Sequence, residues 1–347
     1  MTVPLPAPRI LAPDAVPALR WGVVGTGIAD RFVAALHAHT AQRAVVVTAR
    51  DRGKTQAFAT THGIATVHPS LSALVADPDV DVVYISTPHP LHHEQALEAI
   101  AAGKHVLIEK PIAMSAQEAR SIIDAGRAAG VLVQEAMWTR YLPQSDVIRQ
   151  VLADGLLGDV RLVRADFGFT FLFDPDHRLY APELGGGALL DAGVYPISFA
   201  SSVLGPPTSI VAIGSLAPTG VDERADLLLG ARSATALVST SLVTSLPVTA
   251  SILGSSGRLD VHSPFFGPSG LTLTTGAFGS EESTTWRDET FPAVHDGLGY
   301  QATCFASYVG AGWVESPLHD HAETVSIMAT IDEARRQIAE ANQENSA

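Results

Sequence analysis

Three groups of residues are placed where proton chemistry and phosphate contact are expected. The run His105-Val106-Leu107-Ile108 reads as a fully buried strand and stops on Glu109-Lys110-Pro111. In an open parallel sheet, ligands sit outside the carboxyl ends of the strands, and Lys110 falls at that end. Proline at 111 biases Lys110 towards extended backbone and closes the strand. A lysine at a sheet edge is ordinarily a solvated or ion-paired surface group. Here it is read as an acid/base, with Glu109 beside it as a cofactor-side or orienting residue. Free lysine, with a pKa of about 10.4, is too basic for that work at neutral pH. A partly dry site next to a positive charge would lower it.

The second group is the block Gly185-Gly186-Gly187-Ala188-Leu189-Leu190-Asp191-Ala192-Gly193-Val194-Tyr195-Pro196. If a helix starts after the glycines, Asp191 and Tyr195 are four residues apart and share a face. They form either a structural hydrogen-bonded pair or a functional one, in which Tyr195 relays a proton and Asp191 orients substrate or the lysine. Arg178, just upstream, is a candidate substrate or inter-domain contact.

The third group is Gly25-Thr26-Gly27, directly after an apolar run and before a helical pattern. The first glycine permits a tight turn, and the second lets backbone approach a pyrophosphate at the positive end of a helix. The third position of the G-x-G-x-x-G pattern falls on Asp30, with Ile28 and Ala29 before it. About 20 residues further on, at the end of the next strand, stand Arg50 and Asp51. A leading arginine suits the 2′-phosphate of NADP; NAD remains acceptable if Arg50 only stacks or faces solvent.

The elements needed to hold these groups follow from periodicity. From Leu19, apolar runs alternate with helical stretches, the rhythm of βαβ units. Strands are expected at 21–24, 45–49, 64–67, 80–86, 105–108 and 131–133, which makes a doubly wound parallel sheet. After about Trp138 the pattern changes. Val160 to Phe171 alternates with period two, as in an antiparallel strand with one wet face. Further β-like segments rich in Thr, Ser and Val lie at 208–215, 225–230, 234–243, 248–253, 258–262, 271–275 and 284–290. Helices are expected near 144–154, 185–204, 299–311 and 320–342. The expected domains are an arm at 1–18, a dinucleotide-binding domain at 19–137 and an α+β domain at 138–347, its last helix able to pack back on the first domain.

Composition bounds the partners. The 347 residues include 36 acidic and 22 basic side chains, a formal net charge of −14. So acidic a chain repels phosphate backbones and anionic membranes, which argues against nucleic acid and membrane partners. The one cysteine, Cys304, fits a reducing cytoplasm. No uninterrupted apolar run reaches the roughly 18 residues of a membrane span. The adjacent pair His92-His93 cannot face one metal from a helix, and His319-Asp320-His321 reads as a helix start. No metal site is expected.

With these residues in view, the chain resembles the glucose–fructose oxidoreductase/inositol dehydrogenase/rhizopine-catabolism (Gfo/Idh/MocA) family over nearly its whole length. The matching pieces are Gly25-Thr26-Gly27, Thr87-Pro88, Glu109-Lys110-Pro111, Trp138-Thr139-Arg140, the Gly185 to Tyr195 block and Glu315-Ser316-Pro317. Trp138 to Pro143 together with tyrosine at 195 resembles the branch of dimeric dihydrodiol dehydrogenases and sugar 1-dehydrogenases. The resemblance implies a Rossmann domain followed by an open, mostly antiparallel sheet domain, with substrate bound between them and dimers or tetramers formed through the sheet. It implies NAD(P) and a carbohydrate-like substrate, with Lys110, Asp191 and Tyr195 in catalysis. Cofactor contacts are then expected from Gly25, Thr26, Gly27, Ile28, Ala29, Arg50, Thr87, Pro88, His89, His92, Glu109, Lys110, Trp138 and Arg140. The family usually has asparagine where this chain has His89. A glycoside hydrolase that oxidises transiently, and a non-catalytic sensor, are the alternatives on the same fold.

Overall fold

The computed structural model describes residues 3–232, 234–291 and 293–344. It divides into two compact units. One comprises Leu11–Tyr141 and Phe291–Val325; the other comprises the chain up to Ile10, Leu142–Thr290 and the chain from Ser326.

The first unit is built on a six-stranded parallel sheet. Its strands are β1 (Arg20–Val24), β2 (Arg43–Thr48), β3 (Thr66–Val67), β4 (Val82–Ile85), β5 (His105–Ile108) and β6 (Val133–Glu135), in the order β3-β2-β1-β4-β5-β6. The crossovers are helices α1 (Ala29–His39), α2 (Arg52–His62), α3 (Leu71–Val75), α4 (His92–Ala101) and α5 (Ala116–Ala129). A sheet covered on both faces needs strands that are apolar throughout, and Val82 to Ile85 and Val106 to Ile108 are all buried. Its largest core side chains interlock: Phe32 lies 5.5 Å from Trp21 and 4.0 Å from Tyr84, ring centre to ring centre.

The second unit is an eight-stranded open sheet ordered β14-β13-β12-β11-β7-β10-β9-β8. The strands are β7 (Val160–Gly168), β8 (Ser209–Leu216), β9 (Asp222–Ala231), β10 (Ala234–Ser241), β11 (Ala250–Gly254), β12 (Gly257–Val261), β13 (Gly270–Thr275) and β14 (Glu282–Arg287). All neighbours are antiparallel except β7 and β10, which run parallel. Helices α6 (Pro143–Ala153) and α7 (Val194–Leu204) belong to this unit. On one face, Val211, Leu228 and Leu237 occupy paired positions on three adjacent strands and are exposed by 56%, 44% and 42%.

Two features depart from the linear domain plan. Residues 291–325, expected in the second domain, join the parallel-sheet unit because helix α8 (Leu298–Gly310) completes its core: Phe305 packs 5.2 Å from Trp21. The first turn of α9 (His321–Glu344) is held there too, with His321 Nε2 2.9 Å from the Val133 carbonyl. The arm is anchored at Arg9. Arg9 donates its backbone N–H and its guanidinium to Asp146, at 2.7 and 2.9 Å.

No uninterrupted apolar run reaches the length of a membrane span, but one helical stretch passes the test of length and average composition. Pro182–Leu204, with mean hydropathy 1.3, is long and apolar enough by composition. Of its window, 78% is buried within the protein, as in a core helix. Uninterrupted runs are the wrong measure because Gly, Ser and Pro dilute a stretch without making it polar on average.

Candidate active site

The glycine turn after β1 is shaped by close approach. Gly25 has φ +99°, and a Cβ there would stand 2.8 Å from the Ser86 carbonyl oxygen; its N–H donates to Thr48 at 2.9 Å. Gly27 differs, since a Cβ there would meet nothing within 4 Å. Helix α1 opens next, with Ile28 at its N-cap supplying no side-chain acceptor. An uncapped helix start bordered by open space fits a pyrophosphate, which supplies the missing acceptors. Thr26 borders the same turn. Ala29 is completely buried under the helix start, taking the close-packing role expected of a third glycine. Asp30 instead turns to His62, its Oδ1 3.0 Å from Nε2.

At the end of β2, Asp51 is committed as the N-cap of α2, accepting from the Lys54 N–H at 3.0 Å. Arg50 is left exposed at the ribose-side position.

Lys110 stands at the carboxyl end of β5, on the same sheet edge as the Gly25–Gly27 turn. The Lys110–Pro111 bond is cis, a detail beyond the extended conformation expected from sequence. Glu109 is 8% exposed and held by the Tyr84 hydroxyl at 2.5 Å and the Lys110 N–H at 3.2 Å. Burial pushes its carboxyl up, against the opposing pull of those donors and of the Lys110 charge. Glu109 is thus held in place from two sides.

His92 is fully buried. Its ring nitrogens contact the Thr87 and Pro111 carbonyls at 2.8 and 3.0 Å, so it joins the Thr87-Pro88 turn to the Lys110-Pro111 segment. Burial lowers its basicity. Thr87 donates to Gln95 at 2.7 Å, Pro88 is exposed, and the His89 ring stands 5.7 Å from that of His92. Trp138 is nearly buried, stacked at 6.4 Å over His295. Arg140 forms a partly buried ion pair with Glu323. His92 and Arg140 therefore have internal partners that a list of cofactor contacts does not foresee.

Behind this edge lies Glu135, at the end of β6. Its Oε1 accepts the Ile112 N–H at 2.9 Å, two residues after Lys110, while Oε2 has no hydrogen-bond partner among the described residues. Burial raises its carboxyl to about 7. His319 Nε2 lies 3.7 Å from that Oε2, and burial drives its imidazole well down.

Asp191 and Tyr195 belong to the other unit. Asp191 lies in a π-helical turn, Leu189–Gly193, that runs directly into α7. Arg178 donates to Asp191 Oδ1 at 2.8 Å, so the carboxylate is fixed from outside the helix. The Tyr195 ring packs 5.6 Å from Phe167 and 5.3 Å from Phe266, which stack on each other at 4.6 Å. Phe167, Phe266, Asp222 and Glu135 were not singled out by sequence reasoning. Nothing in the linear text marks two phenylalanines 99 positions apart as one aromatic wall.

Comparisons with known proteins agree with this architecture. Residues 19–137 match the Gfo/Idh/MocA oxidoreductase model described as an NAD-binding Rossmann fold, and 145–260 match the family's C-terminal domain. Trans-1,2-dihydrobenzene-1,2-diol dehydrogenase from Xenopus laevis is 35% identical over 332 residues, covering 92% of this chain and 98% of that one. The Homo sapiens enzyme of the same name is 34% identical, covering 92% and 97%.

The chain belongs to the Gfo/Idh/MocA family. It is an NAD(P)-dependent oxidoreductase. Within the family, a 3-ketoreductase from Actinomadura kijaniata, solved with NADP and TDP-benzene, superposes with a TM-score of 0.81 at 28% identity, covering 93% of this chain and 98% of that one. A levoglucosan dehydrogenase solved with NADH and levoglucosan shares the fold at TM-score 0.85 and 20% identity, with 93% and 98% covered.

Proposed function

We propose that the protein interconverts a secondary alcohol or hemiacetal carbon of a sugar, polyol or dihydrodiol with the corresponding carbonyl compound, using Lys110 as acid/base assisted by Asp191 and Tyr195. The observation that carries this reading is the place of Lys110, at the carboxyl end of β5 on the sheet edge where the Gly25–Gly27 turn opens. Bound NAD(P) supplies a hydride acceptor or donor. The residues that would hold it are Gly25, Thr26, Gly27 and the start of α1, with Arg50 at the ribose.

Oxidising a carbinol removes a hydride from carbon and a proton from oxygen, so a base must stand within hydrogen-bond reach of the hydroxyl. Lys110 Nζ takes that proton, and returns it in reduction. Burial pushes the neighbouring Glu109 carboxyl up. Tyr195 shares the proton through its hydroxyl. Asp191, fixed by Arg178, orients a substrate hydroxyl. The Phe167–Phe266 wall beside Tyr195 suits the apolar face of a sugar ring or of a cyclic diol. Arg50, with Asp51 committed as a helix cap, supports a preference for NADP.

The reading extends to a homo-oligomer formed through the sheet, supported by the exposed row Val211, Leu228 and Leu237, and to the cytoplasm. Light scattering on the purified chain tests the first of these.

Lys110→Met tests the chemistry. Turnover on a responsive sugar or diol is expected to fall by roughly 10³-fold or more, with cofactor affinity retained within a few-fold. Activity near that of the parent would sink the assignment.

A further inference from the structure

The helix that carries Asp191 and Tyr195 begins without a local cap. Ala188, at its N-cap, has no side-chain acceptor, so the opening amides need partners from elsewhere. They find one in Asp222, the first residue of β9 and 33 positions downstream. Its Oδ2 accepts the Leu189 N–H at 2.6 Å, and the Ala188 backbone also bonds to the carboxylate. Asp222 is 3% exposed. The last glycine of the run is required by this contact: Gly187 has φ +125°, and a Cβ there would lie 2.5 Å from Asp222 Oδ1. The Ala188 carbonyl accepts from Thr240 Oγ1 at 3.3 Å, which fixes the same turn from β10.

We infer that Asp222 is a positioning residue of this enzyme: its carboxylate, reaching over from a neighbouring strand, sets the first turn of the helix and thereby the places of Asp191 and Tyr195. The inference rests on the roles proposed above for those two residues.

The charged groups around Asp222 are Asp332, Arg335 and Arg336 of α9, which line one cavity with it, together with adjacent Glu223 and the Arg178–Asp191 pair on the helix it caps. Arg335 favours the anion, but burial outweighs it and raises the carboxyl to about 6. The cap therefore loses its charge within a readily accessible pH range, and a charge-assisted hydrogen bond becomes an ordinary one. The effect on stability has the opposite sign. A carboxyl raised above its unfolded value of about 3.9 contributes stability at low pH that is lost as pH rises through about 6. Acid should thus loosen the helix start while this group favours the folded state.

The test compares kcat, KM and melting temperature between pH 5 and 8 for the parent and Asp222→Asn, together with amide hydrogen exchange over 186–195. In the variant at pH 8, kcat is expected to fall about tenfold with KM and cofactor affinity within about threefold. The acid limb near pH 6 should be absent, exchange over 186–195 faster, and the melting temperature equal or higher. Parent-like kcat with unchanged exchange would overturn the inference. If the variant does not fold, a parent kcat without an acid limb near 6 would overturn it equally. Tyr195→Phe separates the two layers. Full turnover there breaks the assignment of Tyr195 whatever Asp222 does, whereas impaired Tyr195→Phe beside parent-like Asp222→Asn rejects only the positioning role.

Discussion

Two helices in this protein start after glycine runs, and their amides are treated in opposite ways. At Gly25–Gly27, α1 opens uncapped onto space in which a Cβ on Gly27 would touch nothing within 4 Å. At Gly185–Gly187 the helix opens onto the carboxylate of Asp222, so close to Gly187 that a Cβ would lie 2.5 Å from it. One start takes no side-chain acceptor from the chain; the other takes a permanent one. A ligand phosphate brings its charge only when bound. A resident carboxylate must be desolvated in the folded protein, and its pKa rises accordingly. Glycine at a helix start therefore marks close approach by an acceptor, not the identity of that acceptor.

The largest effect expected from this contrast is at Gly25. Its positive φ and the 2.8 Å approach to Ser86 leave no room for a side chain. Gly25→Val should lower NAD(P) affinity more than 100-fold in a fluorescence titration, since the turn must move. Affinity unchanged within threefold would mean the turn does not hold the phosphates.

Next comes Gly187→Ala, which drives a methyl into Asp222 in a backbone region that alanine avoids. Calorimetry should show a loss of about 2–3 kcal/mol, and kcat should fall while cofactor affinity stays. If alanine is accepted without either change, the second helix start is not closed in the way described.

A smaller, pH-dependent effect belongs to Glu135, a buried carboxylate of the parallel-sheet unit, which holds Ile112 beside the Lys110 segment. Its value near 7 lies above the unfolded one, so it stabilises the fold fully below about pH 4.3, and that contribution is lost as pH rises through 7. Glu135→Gln should flatten the decline in stability between pH 5 and 8, by an amount on the order of 2 kcal/mol. An unaltered denaturation profile across that range would contradict the placement of this carboxyl.

The mildest expectation sharpens the contrast most. Gly27→Ala fills open space, so the melting temperature of the free protein should hold within a degree or two. Cofactor affinity should weaken about tenfold, because the methyl occupies the ligand's approach. Equal losses in stability and affinity would show that Gly27 serves the fold instead.

The parallel sheet was readable because its central strands carry short apolar runs closed by turn residues, and buried strands allow little else. The ends of β1 and β5 were readable for the same reason, which is how Lys110 and Gly25 came forward together. The end of β6 was not: expected at 131–133, the strand runs over Val133–Glu135, whose last two residues are polar and break the apolar run. The open sheet was readable as alternation in Thr- and Val-rich segments. Its one parallel pairing, β7 with β10, was not, since a strand's pattern does not name its neighbours. Asp191 and Tyr195 stood out by their spacing. Arg178 was noticed as a neighbour of the glycine run, but its ion pair with Asp191 is a contact made in space.

What the amino-acid sequence determined by itself is the set of local facts: period, turn chemistry, the ends of strands, and the residue types able to move a proton or admit a phosphate. Tertiary structure decided which acceptor meets each helix start, which phenylalanines flank Tyr195, and that residues 291–325 complete the first core. Asp222 is the plainest case. In the sequence it is one acidic residue after a Pro-Thr-Gly turn. Only the pairing of β9 beside β10 brings its carboxylate to Leu189, 33 positions away. Hydrogen bonds depend on distance in space, and local patterns carry no record of it.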